Sequence, residues 1–384
     1  MIMTIGMLLP SLLMTKRYDN RIYAVKPLFM SLVYGLQQRG HRVIVYSASE
    51  SGIKAELISG NACIEQKDLW SVKVRTDNSD IVHAITARMN MHAYEIDLVS
   101  RAYHHAKQED VSIMHVYNDF IAHAIASFTS IPTVYTLHDP VYPNDSLEGY
   151  QLDRYLHDQY IAISNRQKEL YEQRGARVVG MVYHGMDISM CPFQGSPEQH
   201  MIFAGRMIPE KGVVEALSVS QRVDIPLYIY SSENYKQTSY YKEKIAPLII
   251  SHTLYQSYLQ PPKLYVGYGK AKVLLFPIDM EEPFGLVMIE AMASGTPVIA
   301  YNRGSVPEVV KDGVTGFIID PENQDRPGKG SWVIKKQGID GLVEAVRRIG
   351  EIDRTACRKH VEENFTVNKM VDGYERVYKK ILTG

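Results

Sequence analysis

Three stretches of this chain carry side chains whose types and spacing suit a charged, hydroxylated ligand. The stretch 203–212, FAGRMIPEKG, reads as strand, turn and helix start, with Arg206 and Lys211 at the strand's carboxyl end. A guanidinium fork and an ammonium there suit an anion carrying two phosphates. Two solvated charges beside a turn are the plain alternative. The stretch 281–300, EEPFGLVMIEAMASGTPVIA, separates Glu282 from Glu290 by seven residues, with a helix starting near Leu286. Its turn leaves the amides of Phe284, Gly285 and Leu286 at a helix N-terminus, a ready anion site. Glu290 lies among Met288, Ile289 and Ala291, where an isolated carboxylate loses hydration and needs hydrogen-bond donors. Vicinal hydroxyls of a ribose would supply two. Glu282 can accept from hydroxyls of a second sugar, or simply complement the helix dipole. The third stretch, TVYTLHDP at 133–140, ends a strand at His138. That imidazole either faces a ligand crevice or is a satisfied structural group.

The elements that must position these residues alternate from end to end. Short β-branched runs at 4–10, 42–48, 112–117, 133–137, 160–164 and 178–183 are expected strands, with helices such as 23–39 and 93–108 between them. Residues 53–82 give no clear pattern beyond short strands. The alternation restarts with strands at 201–204, 227–230, 273–277, 298–301 and 317–319, and helices near 211–222, 241–250, 286–293 and 341–349. This is the signature of doubly wound α/β architecture. The expected division is a domain over 1–185, a linker over 186–200 marked by Pro192, Gly195, Ser196 and Pro197, a domain over 201–366, and a terminal helix over 367–384 packing back on the first domain. The Pro/Gly/Lys-rich patch 321–336 reads as a surface insertion. In open sheets of this kind ligands bind at the carboxyl ends of the strands, so two facing sheets would share a cleft.

Composition removes other classes. The chain has 384 residues, 42 basic against 43 acidic, and cutting at 185 leaves 18 against 19 and then 24 against 24. Neither half is a polycation, which argues against nucleic acid as partner. Cys63, Cys191 and Cys357 lie far apart without a CxxC pair, unlike a disulfide scaffold or structural zinc site. Ten of the thirteen histidines fall in the first half without metal-ligand spacing, and His184 reads as hinge packing. The apolar start, 1–14, lacks a basic leader and a cleavage site, and no later run approaches membrane-spanning length. The expectation is a cytoplasmic protein that at most touches the inner membrane face. No G-x-G-x-x-G follows the first strand and no Walker A loop occurs, which disfavours dehydrogenases and P-loop NTPases.

Taken together, Arg206 and Lys211 as R-x4-K, Glu282 and Glu290 as E-x7-E, and RGSVPEVVKDGVTGF at 303–317 resemble family 4 of the retaining glycosyltransferases. GHRVIVYS at 40–47, TLHD and AISNRQKEL at 162–170 extend the likeness over essentially the whole chain. The resemblance implies a GT-B fold, two Rossmann-like domains facing across a cleft, with a nucleotide-sugar donor held by the second and a hydroxyl acceptor by the first. It implies that Arg206 and Lys211 bind the donor diphosphate. Glu282 would hold the transferred sugar, the backbone of Phe284, Gly285 and Leu286 would contact sugar and phosphate, and Glu290 would bind the ribose. His138 would stand beside the reacting sugar, giving His138, Glu282, Arg206 and Lys211 catalytic roles. No metal and no cofactor are implied, the nucleotide sugar being a substrate. Family frequency alone places UDP-glucose ahead of GDP-mannose. The acceptor, whether small molecule, glycan or lipid-linked, is open.

One departure stands out. The family commonly carries a Gly-Gly loop after the first strand, where this chain reads PSLLMTKRYDNRIYAVKP at 10–27. Lys16, Arg17, Arg21 and Lys26, interleaved with Tyr18 and Tyr23, suit a phosphorylated or lipid-linked acceptor, or form a solvated loop. The competing functions are a GT-B phosphorylase or epimerase, and a non-catalytic nucleotide-sugar binder.

Overall fold

A computed structural model describes residues 1–16, 23–65, 79–117, 120–249, 253–257, 259–322 and 331–384. The chain divides into two compact units. The first comprises residues 1–163, 168–182 and 371–384, and the second 164–167 and 183–370.

The first unit runs β1 (Thr4–Leu8), α1 (Val25–Gln38), β2 (Arg42–Tyr46), β3 (Glu56–Ile58), α2 (Ala62–Glu65), α3 (Ser79–Gln108), β4 (Ile113–Val116), α4 (Phe120–Ala126), β5 (Thr133–Thr136), α5 (Leu147–Arg154), β6 (Gln159–Ala162), α6 (Asn165–Gln173) and β7 (Val178–Met181). Its strands are parallel in the order β3-β2-β1-β4-β5-β6-β7. Its inner strands are mostly buried and read as near-continuous apolar runs such as RVIVY and IMHV.

The second unit runs β8 (Met201–Ala204), α7 (Val213–Val223), β9 (Leu227–Ser231), β10 (Leu254–Ser257), α8 (Lys263–Lys270), β11 (Val273–Phe276), α9 (Leu286–Ala293), β12 (Val298–Tyr301), α10 (Val306–Val309), β13 (Gly316–Ile319), α11 (Gly338–Arg348) and α12 (Arg354–Asn364). The sheet order is β10-β9-β8-β11-β12-β13, again parallel. Each sheet grows outward on one side from its first strand and then on the other. The order reverses between β1 and β4 in the first unit and between β8 and β11 in the second, the position at which open α/β sheets generally bind ligands. The final helix, α13 (Val367–Thr383), has its residues from 371 onward in the first unit.

Several elements differ from the sequence expectation. The unassigned 53–82 region contains β3, α2 and the start of α3, which is a 30-residue helix rather than one beginning at 93. The helix expected over 241–250 is a single π turn, Tyr241–Ile245, and a 3-10 turn, Ala246–Leu248. Pro247 has no amide to donate into a continuing helix. β10 and α12 were not anticipated at all. Residues 323–330 of the patch 321–336 lie outside the described residues, but its end is packed: Ile334 is buried and Trp332 Nε1 donates to Asp320 at 3.0 Å. Arg17, Tyr18 and Arg21 also lie outside the described residues. Just before them Leu12, Met14 and Thr15 are buried, and Lys26 Nζ donates to the Met14 carbonyl at 2.9 Å, so this part of the loop is packed rather than solvated.

The 186–200 stretch belongs to the second unit. Two arginines of α12 strap it down. Arg354 Nε donates to the Gln194 carbonyl at 2.8 Å, and Arg358 Nη1 to the Cys191 carbonyl at 2.8 Å. Among the described residues no helix is long and apolar enough to cross a membrane.

Candidate functional site

The loops leaving β8 and β11 meet at the reversal of strand order in the second unit. After β8 the chain passes Gly205 and the exposed Arg206, then makes a 3-10 turn, Pro209–Lys211, closed by Gly212. Gly212 has φ +71°, and a Cβ there would lie 1.8 Å from the Pro277 carbonyl oxygen just beyond β11. Only glycine allows both that backbone and that approach. The amide of Asp279 donates to the Glu210 carbonyl at 2.9 Å, which stitches the loops together.

This stitching brings Lys211 and Glu282 into a direct ion pair, with each side chain 14% exposed. Lys211 Nζ also stands over the Phe276 ring, 6.0 Å from its centroid. Glu282 is fixed from behind by its own backbone, whose carbonyl accepts from the Ser305 amide at 3.0 Å. The neighbouring Glu281 accepts from Arg166 Nε and from the Gly304 amide, both at 3.1 Å.

From Glu282 the chain enters α9, capped by Gly285. Phe284 contributes backbone, not ring: its side chain is buried, 5.1 Å from His184 and 5.8 Å from Phe365 between ring centroids. Its carbonyl accepts from Ser305 Oγ at 2.7 Å. The first amides of α9, beginning at Leu286, have no helical carbonyl ahead of them and carry the positive end of the helix dipole. Glu290 follows on the same helix. Burial pushes its carboxyl up to about 7, and a hydrogen bond with Tyr268 of α8 opposes the shift.

His138 belongs to the first unit, two residues beyond β5. Burial lowers its imidazole to about 3, so it is neutral at physiological pH. Its ring stacks on Tyr117, with centroids 4.6 Å apart and planes 22° apart. His184, read from sequence as packing, is buried against Phe284.

The structure therefore joins Lys211 to Glu282, sets Phe284, Gly285, Leu286 and Glu290 along one loop and helix, and leaves Arg206 exposed five residues before Lys211. Sequence reasoning did not single out Tyr268, Gly304 or Ser305. Gly304 and Ser305 fall in the 303–317 motif and could have been read there. Tyr268 is on a different helix from Glu290 and carries no local signal.

Comparison with known proteins follows the same division. A family model described as Glycosyltransferase Family 4 matches residues 28–190, and one described as Glycosyl transferases group 1 matches residues 194–330. The chain is 28% identical over 233 residues to a putative glycosyltransferase, YtcC, of Bacillus subtilis, covering 54% of this chain and 55% of that one. It thus spans about half the length of such curated relatives. Among solved structures, sucrose-phosphate synthase from Thermosynechococcus elongatus superposes with a TM-score of 0.70 at 15% identity, covering 99% of both chains. Anabaena Alr3699/HepE, in complex with UDP-glucose, gives 0.68 at 15% identity, again over 99% of both. At such identities the likeness gives the fold, a GT-B arrangement of parallel sheets and helices.

Proposed function

We propose that this chain, which belongs to glycosyltransferase family 4, moves a hexosyl group from a nucleotide-diphosphate sugar to a hydroxyl acceptor with retention of configuration. UDP-glucose is the first donor to test and GDP-mannose the second. The observation that carries the reading is the Lys211–Glu282 pair at the β8/β11 reversal, directly before the start of α9 and Glu290.

Breaking the C1–O bond puts negative charge on the departing diphosphate and partial oxocarbenium character on the sugar. In this reading Arg206, Lys211 and the first amides of α9 meet the developing charge. Preorganised donors of this kind are worth roughly 3–4 kcal/mol each. Glu282 accepts from hydroxyls of the transferred sugar, and Glu290 from the ribose. His138, neutral, lies beside the reacting sugar as a hydrogen-bonding group and not as a cation. The leaving phosphate oxygen takes the acceptor's proton as the new bond forms on the same face. The diphosphate charge is met by protein cations and amides, so neither a cofactor nor a metal enters the scheme.

The test is a panel of nucleotide sugars, read by thermal shift and by release of free nucleoside diphosphate in the presence of candidate hydroxyl acceptors. Binding raises the melting temperature by mass action. A shift with a donor, turnover that survives chelator, and loss of turnover in Arg206→Ala and Lys211→Ala support the reading. No shift with any donor overturns it. A shift with no sugar released under any condition points to a pure binder, and turnover that requires inorganic phosphate points to a phosphorylase.

A further inference from the structure

The first unit contains a buried polar chain that the proposed reaction does not use. His115 on β4, Thr136 on β5, and Tyr374 and Tyr378 on α13 are all at most 1% exposed. His115 Nδ1 lies 2.6 Å from the Tyr378 hydroxyl, and Nε2 lies 2.7 Å from Thr136 Oγ1. Thr136 Oγ1 in turn donates to the Tyr374 hydroxyl at 3.3 Å.

The donors can be counted. Thr136 spends its only proton on Tyr374, so it must accept from His115 Nε2–H. A neutral imidazole protonated at Nε2 can only accept at Nδ1, so Tyr378 donates there. With Thr136 donating to Tyr374, the three bonds run in one direction, from Tyr378 through His115 and Thr136 to Tyr374.

This chain leads to His138 along two routes. Thr136 is the last residue of β5, two positions before His138. His115 lies 5.1 Å from the Tyr117 ring, and Tyr117 is the face on which His138 stacks. Tyr374 adds a contact to the His115 ring at 5.0 Å. One turn of the terminal helix thus fixes the end of β5 and, through His115 and Tyr117, the plane of the His138 ring.

We infer that Tyr378 and Tyr374 of the terminal helix are positioning residues for His138, acting through His115, Thr136 and Tyr117. The inference rests on the reading that His138 borders the reacting sugar. Displacing a reacting group's neighbour by a fraction of an ångström slows chemistry without loosening a donor held elsewhere.

The test is Tyr378→Phe, which keeps the ring and removes the hydroxyl, with Tyr374→Phe as a milder second variant across the longer bond. In folded Tyr378→Phe we expect kcat to fall about ten-fold with donor KM within about two-fold. The same substitution in a His138→Ala background should have no further effect on kcat. The His138 ring resonances should also shift in Tyr378→Phe without any ligand. Unchanged kcat, an equal fall in the His138→Ala background, or unmoved His138 resonances overturns the inference. If the wild type transfers no sugar yet Tyr378→Phe moves those resonances, the proposed function falls and the positioning role stands. Should Tyr378→Phe not fold, Tyr374→Phe is held to the same outcomes.

Discussion

Lys211 and Glu282, 71 residues apart in sequence, neutralise one another across the loops that follow β8 and β11. In the proposed reaction an arriving donor divides this pair, drawing the ammonium toward its diphosphate and leaving the carboxylate to the sugar hydroxyls. The contact holds both side chains in place and offsets part of Lys211's attraction for an anion.

Glu282→Gln should therefore separate two affinities. With the competing carboxylate gone, nucleoside diphosphate alone should bind about three- to ten-fold tighter, as expected for loss of a partly exposed charge. Sugar transfer should fall by about two orders of magnitude, because the proposed reaction assigns this carboxylate to the sugar hydroxyls. Calorimetric titration and steady-state rates measure the two. Weaker diphosphate binding in this variant would mean that Glu282 does not restrain Lys211.

Gly304 tests the backbone that carries Glu282. Its φ is +52°, and a Cβ would lie 2.3 Å from the Glu282 carbonyl oxygen and 2.4 Å from its amide nitrogen. Neither backbone can yield without displacing the carboxylate. Gly304→Ala should cost transfer about 10²-fold, far more than its effect on unfolding. Gly350→Ala, where nothing lies within 4 Å of the added carbon, serves as control and should leave both unchanged.

The motifs at 203–212 and 281–300 were legible because strand, turn and helix start follow one another in sequence, so the local pattern carries the local geometry. The Lys211–Glu282 contact was not, because it depends on β11 lying beside β8, and strand order is a property of the whole sheet. α12 was missed for a related reason. Its sequence, RTACRKHVEEN, reads as a charged surface segment, yet Arg354 and Arg358 turn inward to carbonyl groups. β10, LYQS, is an edge strand too polar to resemble its neighbours.

Arg354 is the strongest of these hidden supports. It is 8% exposed and donates to the carbonyls of Gln194, Gly269 and Ala271 and to Thr296 Oγ1, at 2.7–3.0 Å. Burial lowers the guanidinium to about 10, still charged at neutral pH. Lysine has three donors from one point and cannot reproduce the fork. Arg354→Lys should lose about 3 kcal/mol of unfolding free energy, and Arg354→Met more, measured by urea titration. A loss below about 1 kcal/mol would mean that the carbonyls find other donors.

The buried ionisable groups set opposing pH dependences. Glu290 sits near 7 against its ordinary 4.5, with burial as the main cause. Below 4.5 it is protonated in both folded and unfolded chains. As pH rises from 4.5 to 7 the unfolded chain ionises first, so this group's contribution to stability is lost across that window. His115 and His138 act the other way. Burial holds both near 3 against an ordinary 6.5. The unfolded chain takes up their protons first, so stability falls as pH drops from 6.5 toward 3. Near pH 5 two imidazoles oppose one carboxyl, and the net slope of stability against pH should be positive. Glu290→Gln removes the opposing group and should steepen that slope. The same substitution separates the ligand effect. Ribose hydroxyls donate to an ionised carboxylate, so wild-type donor affinity should rise as pH passes through about 7. Urea titrations from about pH 5 to 8, paired with donor calorimetry, read both slopes. Donor affinity that stays level across pH 7 in the wild type, or that retains its slope in Glu290→Gln, would remove Glu290 from the ribose.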